Sequence, residues 1–329
     1  MLTLAGCNTN GNGQQGTTLP PLQSTDTTAP VQKQQLNIGV LKGPTGMGAA
    51  YLMASDEANE TVNDYEFTIA GAPDVLVSQI VSGELDIAAL PSNTAATLYN
   101  KSSSVVVAAV NTLGVLYVVQ KGDAVKSVTD LKGKTVYSSG KGTTAEYVFN
   151  YILEKNGLKP GEDVKIEYET EHAAVVSKAT AGQADIVLLP EPFVTSLCAA
   201  SSDYSVALNL TSEWQGLNAG ELPMGVIVVN KSFAQANPDA VNAFLTEYSA
   251  SVNSTQVAPE AAAVVIANYG IMDEAVAKNA LPRCNIVCLT GEQMKAALEP
   301  YYGILLEANE ASVGGFVPDA GFYFMPAAA

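Results

Sequence analysis

Short polar side chains gather at four places in this chain where a strand is expected to hand over to a helix. They are Gly43-Pro44-Thr45-Gly46-Met47, Pro91-Ser92-Asn93-Thr94, Ser138-Ser139-Gly140-Lys141-Gly142-Thr143-Thr144 and Pro190-Glu191-Pro192-Phe193. Hydroxyls, amides and the free N–H groups of a helix start are equipped to hold a solute rather than to break a bond. Glycine adds close approach of the backbone to a ligand. The third segment, with its glycines, hydroxyls, lysine and helix start, has the composition of an anion cradle. It lacks the spacing of a nucleotide-binding loop. Plainer roles compete at each place. The first segment can be an ordinary tight turn, and the second needs only one of its side chains as an N-cap. In the fourth, proline suits a first helical turn and Glu191 suits the positive end of a helix. Tyr51, Tyr147, Phe193 and Trp214 stand near the expected mouth, Trp214 in the polar loop before the returning strand.

Other chemistries have little to work with. His172 is the only histidine, and it falls at or before a helix start rather than in one of the four loops, so no Ser-His-Asp order assembles around it. Asp86 and Asp185 each begin a strand at the end away from those loops, which argues against a carboxylate dyad. Arg283 is the only arginine, so any bidentate clamp on an anion depends on it alone. Cys284 and Cys288 form half of a metal site at most, and no metal or other cofactor is expected. They read as small buried residues; a local disulfide between them stays open.

The elements that position the loops are written twice. Residues 81–98 read VSGELDIAALPSNTAATL and residues 180–197 read TAGQADIVLLPEPFVTSL, with Gly83, Asp86, Ile87, Leu90, Pro91 and Leu98 matching Gly182, Asp185, Ile186, Leu189, Pro190 and Leu197 at an offset of 99. A unit of that length is a plausible domain. Before the crossover, strands are expected at 36–41, 65–70 and 86–90, with helices at 47–58, 74–82 and from Ser92 or Asn93 to Tyr99. The β-rich run 105–120, broken near 111–114, reads as a crossover. After it come strands 135–139, 164–169, 185–189 and 204–210, helices 143–156, 171–181 and 191–200, and a return strand 224–230. Everything beyond reads as helical, as in 238–253, where Val241, Phe244, Leu245, Tyr248 and Val252 share a face. Alternating strands and helices imply parallel strands covered by helices. Two lobes are expected, 36–115 with 225–329 and 116–224, hinged near 111–116 and 222–225. Ligands of open α/β sheets sit beyond the carboxyl ends of the strands. Thr45, Ser92, Asn93, Thr143 and Thr144 are therefore expected to face one cavity between the lobes.

The net charge is −17, which argues against nucleic acid as a partner and against basic attachment to anionic lipid. Apolar residues make up 47% of the chain, enough for a core in each lobe, yet no run reaches the roughly 18 apolar residues of a spanning helix. Leu4-Ala5-Gly6-Cys7 resembles the lipobox of bacterial lipoproteins, within a signal remnant at 1–7. Residues 8–35 are rich in Asn, Gly, Gln, Thr, Ser and Pro and read as a disordered tether. The layout implies an extracytoplasmic body held to the membrane only by lipid on Cys7.

Five phrases carry a wider resemblance: GVLKGPTG (39–46), GELDIAALPSN (83–93), DLKGKTV (130–136), GQADIVLLPEPF (182–193) and PDAGFYF (318–324). In this order and spacing, over roughly residues 36–324, the chain resembles the type 2 periplasmic binding proteins. The likeness is nearest to the ABC-transporter substrate-binding group that includes sulfonate, nitrate and thiamine-precursor binders. The resemblance implies an α/β fold of two lobes, each a mostly parallel sheet flanked by helices, joined by two crossing segments and closing on a solute. It implies a monomer, not an enzyme, that captures a small polar or heteroaromatic solute, anionic or not. An ABC permease powered by a separate ATPase then receives the solute. The candidate ligand contacts are Pro44, Thr45, Gly46, Met47, Ser92, Asn93, Thr94, Ser139, Lys141, Gly142, Thr143, Thr144, Glu191, Phe193 and Trp214. The chain has no GxxxxGK[ST] loop and is not the motor itself. A ligand-binding sensor is the alternative within the fold, and an enzyme resembling the thiamine-pyrimidine synthases is the alternative outside it.

Overall fold

A computed structural model describes residues 33–326 of the chain. Cys7 and nearly all of the expected tether lie outside the described residues. Strands β1 (Gln35–Leu41), β2 (Asp64–Ala70), β3 (Ile87–Pro91) and β4 (Val105–Thr112) come first. Then follow β5 (Leu116–Lys121), β6 (Thr135–Ser139), β7 (Lys165–Glu169), β8 (Ile186–Pro190) and β9 (Tyr204–Asn209), and finally β10 (Gly225–Asn230) and β11 (Ile286–Leu289). Helices α1 (Pro44–Met47), α2 (Ala50–Glu57), α3 (Pro73–Ser82) and α4 (Ser92–Ser102) alternate with the first group. The second group carries α5 (Thr144–Lys155), α6 (His172–Thr180), α7 (Phe193–Ala200) and α8 (Leu210–Gly216). The last group carries α9 (Lys231–Ala236), α10 (Pro238–Val257), α11 (Pro259–Asn268), α12 (Glu274–Ala280) and α13 (Gly291–Ala308).

Among the described residues the strands form two mixed sheets, in the orders β11-β4-β10-β3-β1-β2 and β7-β6-β8-β5-β9. In each, three strands of the repeated unit run parallel, and the strands that arrive from the crossovers pair antiparallel beside them. Central position explains the composition of β4: every residue of Val-Val-Val-Ala-Ala-Val-Asn-Thr is buried, as in a strand covered on both faces. The edge strand β7, Lys-Ile-Glu-Tyr-Glu, has no fully buried residue.

One apolar cluster lies against both sheets, with Leu90 and Val107 from the first and Leu76 of α3 on it, Val136 and Leu188 from the second, and Trp214, Tyr301 and Tyr302 as further members. The remaining face of the first sheet packs on α1, α2 and α10 through Met47, Leu52, Phe244 and Tyr248. The remaining face of the second packs on α6 and α7 through Val175, Val194 and Leu197. Among the described residues no helix is long and apolar enough to cross a membrane.

Three sequence expectations change. Residues after β10 are not all helical: β11 pairs with β4, because Ile286-Val287-Cys288-Leu289 supplies a short apolar strand to an otherwise open edge. Trp214 belongs to helix α8, not to a loop. The helix expected at 47–58 is two helices, α1 and α2, set apart around Gly48 and Ala49. Side chains do not fit at this break: a Cβ on Gly46 would sit 2.1 Å from the Leu41 carbonyl oxygen, and one on Gly48 would sit 2.5 Å from the Tyr248 hydroxyl.

Candidate functional site

Two crossings join the sheets, and both start or end at the carboxyl ends of the parallel strands. Three residues, 113–115, separate β4 from β5, a span of at most about 3.6 Å per residue. In register, Gly225 of β10 lies opposite both Pro91 and Thr112, and Leu116 of β5 lies opposite Pro190. The starts of α1 and α4 on one side and of α5 and α7 on the other are thereby brought to the crossing.

The sequence-chosen residues fall into four clusters there. In the first, the Thr45 carbonyl accepts a hydrogen bond from Asn111 Nδ2 at 2.9 Å. Gly225 closes the cluster, since a Cβ there would come within 2.6 Å of both Thr45 Cγ2 and Asn111 Oδ1. Pro44 and Thr45 are half-buried, Gly46 is buried, and Met47 is part of the core.

The second cluster links the two sheets. Ser92 Oγ donates to the Pro223 carbonyl at 2.7 Å and lies 3.3 Å from the Tyr301 hydroxyl, while Tyr302 donates to the Ser92 carbonyl at 2.9 Å. The same Tyr301 hydroxyl faces the buried Thr144 side chain at the start of α5. Asn93 and Thr94 stand half-buried in the first turn of α4. Trp214 is fully buried behind this point, 4.9 Å from the Tyr151 ring and 6.2 Å from the Tyr301 ring, with Nε1 donating to the Glu221 carbonyl.

In the third cluster Ser139 Oγ lies 2.5 Å from His172 Nδ1, and the His172 ring packs 5.0 Å from that of Phe193. Burial pushes the His172 pKa below the ordinary histidine value, so the ring is neutral near pH 7. In the fourth, the buried Glu191 carboxylate pairs with Arg283 Nε and accepts from Thr195 N at 3.1 Å, and Arg283 Nη2 donates to Thr195 Oγ1 at 2.6 Å.

Lys141, Gly142 and Thr143 stand outside these clusters. All three are exposed; Thr143 Oγ1 turns back to the Gly140 carbonyl at 2.5 Å, and Lys141 lies over the Tyr168 ring. Lys141 and Gly142 line a separate open groove of about 620 Å³ between α5 and α13.

Sequence reasoning passed over Asn111, His172, Tyr301 and, as a cleft residue, Arg283. Only Arg283 left a signal, as the sole arginine. His172 follows β7 at the same sheet end as Ser139, a placement the sequence hides because it depends on strand order. Near the crossing, Asn111 Oδ1, Thr112 Oγ1 and Thr211 Oγ1 are buried without a hydrogen bond. Such atoms favour a bound polar group or water. Cys198, Cys284 and Cys288 are free thiols, and burial pushes Cys288 up to about 11. Among the described residues no group of His, Cys, Asp and Glu is arranged to hold a metal.

A family model described as "ABC transporter, phosphonate, periplasmic substrate-binding protein" matches residues 58–279. No curated protein matches the sequence. Among solved structures, an ABC transporter protein from Parabacteroides distasonis is similar at 24% identity, covering 88% of this chain and 99% of its own, with a TM-score of 0.75. The periplasmic aliphatic sulphonate binding protein SsuA of Escherichia coli is similar at 17% identity, covering 88% and 95%, with a TM-score of 0.69. The alkanesulfonate-binding protein SsuA of Xanthomonas axonopodis pv. citri, bound to MOPS, is similar at 18% identity, covering 89% and 99%, with a TM-score of 0.64. These likenesses show the fold: two helix-flanked mixed sheets of the periplasmic-binding-protein kind.

The neutral His172 makes a prediction about pH. Because its folded pKa lies below the unfolded value, the unfolded chain binds the extra proton first. Its contribution to stability is complete above about pH 6.5 and is lost as pH falls from there through the folded value. Urea denaturation across this range should show a shallower acid loss for His172→Gln than for the wild type. Equal acid slopes would contradict the assignment.

Proposed function

We propose, for a chain that belongs to the family of ABC-transporter phosphonate periplasmic substrate-binding proteins, that its solute lies between the two sheets, held by the helix starts that meet at the crossing. As a substrate-binding protein of an ABC importer, it works outside the cytoplasm and hands a small molecule to a permease driven by an ATPase. The finer reading concerns how and what it binds. The observation that carries it is the meeting at Tyr301 of Ser92, the first residue of α4, with Thr144, the first residue of α5. A contact of this kind joins the halves through groups that are also at helix starts.

The solute is small and polar, with one anionic or hydrogen-bonding end placed toward the starts of α4 and α5. Free N–H groups there stabilise negative charge without a long side chain to order. Thr45, Ser92, Asn93 and Thr94 supply contacts from one lobe, Ser139, Thr144 and Phe193 from the other, while Glu191 is held inside the protein by Arg283. His172 and Phe193 offer a flat wall for an apolar or heteroaromatic part. The lobes, 36–115 with 225–329 and 116–224, close by bending at 111–116 and 222–225. The protein binds as a monomer, without chemistry on the solute. Ser139 and His172 resemble half of a hydrolytic triad, but burial alone shifts the histidine, with no carboxylate acting on it.

The solute should come away when protein purified from its native source is denatured, and mass spectrometry identifies it. Titration calorimetry with that molecule should show Asn93→Ala and Thr144→Ala weakening binding by about 1–3 kcal/mol each, the cost of an unmet polar group. Unchanged affinity in both variants would remove the site from this position. The anchor is tested separately. Cells fed a fatty-acid label should mark the protein through Cys7, and Cys7→Ser should abolish the label; labelling that survives the substitution excludes lipidation there.

A further inference from the structure

Arg283 is the only arginine in the chain, and it stands where the two sheets meet. Its own packing belongs to the first sheet. Leu281, Cys284 and Ile286 around it lie in the apolar cluster on that sheet, and β11, which follows, pairs with β4. Its partners belong to the second sheet. Nε pairs with Glu191, the residue after β8, and Nη2 donates to Thr195 Oγ1 of α7 at 2.6 Å. Tyr117 of β5 donates to the Arg283 carbonyl at 2.8 Å. One residue is thus bonded across the crossing through both its side chain and its backbone.

The link 113–115 beside it is gripped from both sides. Leu113 N donates to the Asn285 carbonyl at 3.0 Å, and Asn285 Nδ2 donates to the Gly114 carbonyl at 2.5 Å. These bonds tie the start of the link to the loop that carries Arg283. Glu191 N donates to the Val115 carbonyl at 2.9 Å, which ties the end of the link to the second sheet. Arg283 then bonds the two holders, the 283–285 loop and Glu191, to each other. Bending between Gly114 and Val115 moves those holders apart and works against the Arg283 contacts.

A buried ion pair is a weak source of stability, because desolvation offsets the attraction. It is a better source of geometry. The Glu191 side chain has 0% exposure and also accepts from Thr195 N at 3.1 Å, so its carboxylate is aimed by the start of α7. The guanidinium is a planar fork that meets Glu191 and Thr195 together, whereas the ammonium of lysine is a point charge on a flexible stem. Phe193 lies between those two residues in sequence, with its ring 5.0 Å from that of His172. The direction in which α7 leaves β8, relative to the first sheet, is therefore set by the fork.

We propose that Arg283 is a positioning residue for solute binding: its fork fastens the start of α7 to the 283–285 loop and holds the two sheets in their binding arrangement before a solute arrives. This rests on the reading of two lobes that bend at 111–116. Loss of the fork frees the link, and the solute then has to draw the sheets together at the expense of its own affinity.

The test reads the distance between the halves in the full protein. Spin labels on p-acetylphenylalanine, placed at the exposed positions Lys101 and Glu162, avoid the native thiols. Pulsed electron paramagnetic resonance on protein dialysed free of solute should give one narrow distance for the wild type. Thr195→Val removes only the Nη2 contact and should broaden it. Arg283→Lys keeps the charge but not the fork and should add a second, longer distance. Arg283→Met combined with Glu191→Met leaves no unpaired charge; it should show the same longer distance while melting near the wild-type temperature. Adding the extract released by denaturing native-source protein should return Arg283→Lys to the wild-type distance. A solute-free wild type that already shows two distances overturns the inference. Variants that keep the wild-type distance, while the extract shortens the distance in the wild type, overturn it and leave the bending intact. Distances that change in no variant and with no addition overturn the bending and the inference together.

Discussion

The three-residue link between β4 and β5 is the constraint from which the site follows. A link that short forces the end of one sheet against the start of the other, and it does so at the carboxyl ends of the parallel strands in both. The segment after β9 returns to β10 at the same level, so Ser92 N reaches the Met224 carbonyl at 3.1 Å and Met224 N the Thr112 carbonyl at 2.9 Å. The loop Arg283-Cys284-Asn285 then locks the link from outside: Leu113 N donates to the Asn285 carbonyl, and Asn285 Nδ2 donates to the Gly114 carbonyl. Helix starts that are far apart in sequence become neighbours because the chain between the sheets has no slack.

Contacts on either side of the link differ in chemistry. Near Tyr301 the sheets share a continuous apolar core with Trp214 and Tyr151, and hydroxyl contacts cross within it. Near Arg283 the bond between halves is a buried ion pair. Such a pair contributes little net stability once desolvation is counted, but removing either partner leaves a costly unmet charge. Its place here is therefore better explained by what it fixes: the orientation of the 283–285 loop.

Much of this was legible in the sequence because it is local or repeated. The Gly-x-x-Asp-Ile repeat marks β3 and β8, and the polar residues after each proline mark the loops that follow. Strand and helix positions through residue 210 agree within a residue or two, apart from the α1–α2 break and the end of α4, which runs three residues past Tyr99 to Ser102. Residues that depend on strand order were hidden. Nothing near His172 in sequence shows that β7 and β6 are neighbours and bring it to Ser139. Tyr301 lies 209 positions from Ser92 and sits in a helix that reads as a core helix. Trp214 reads as a loop residue because Glu-Trp-Gln-Gly is polar, yet Asn209 caps a helix there by accepting from Thr211 N. The strand β11 was missed because four apolar residues between helices carry no period of their own.

A crystal structure of the protein with its native solute bound tests the central claim most directly. The account predicts that the solute contacts the first turn of α4 around Asn93 and the first turn of α5 around Thr144 at once, with Arg283 still paired to Glu191. Density confined to the outer groove between α5 and α13, or contacts from one sheet only, would contradict it.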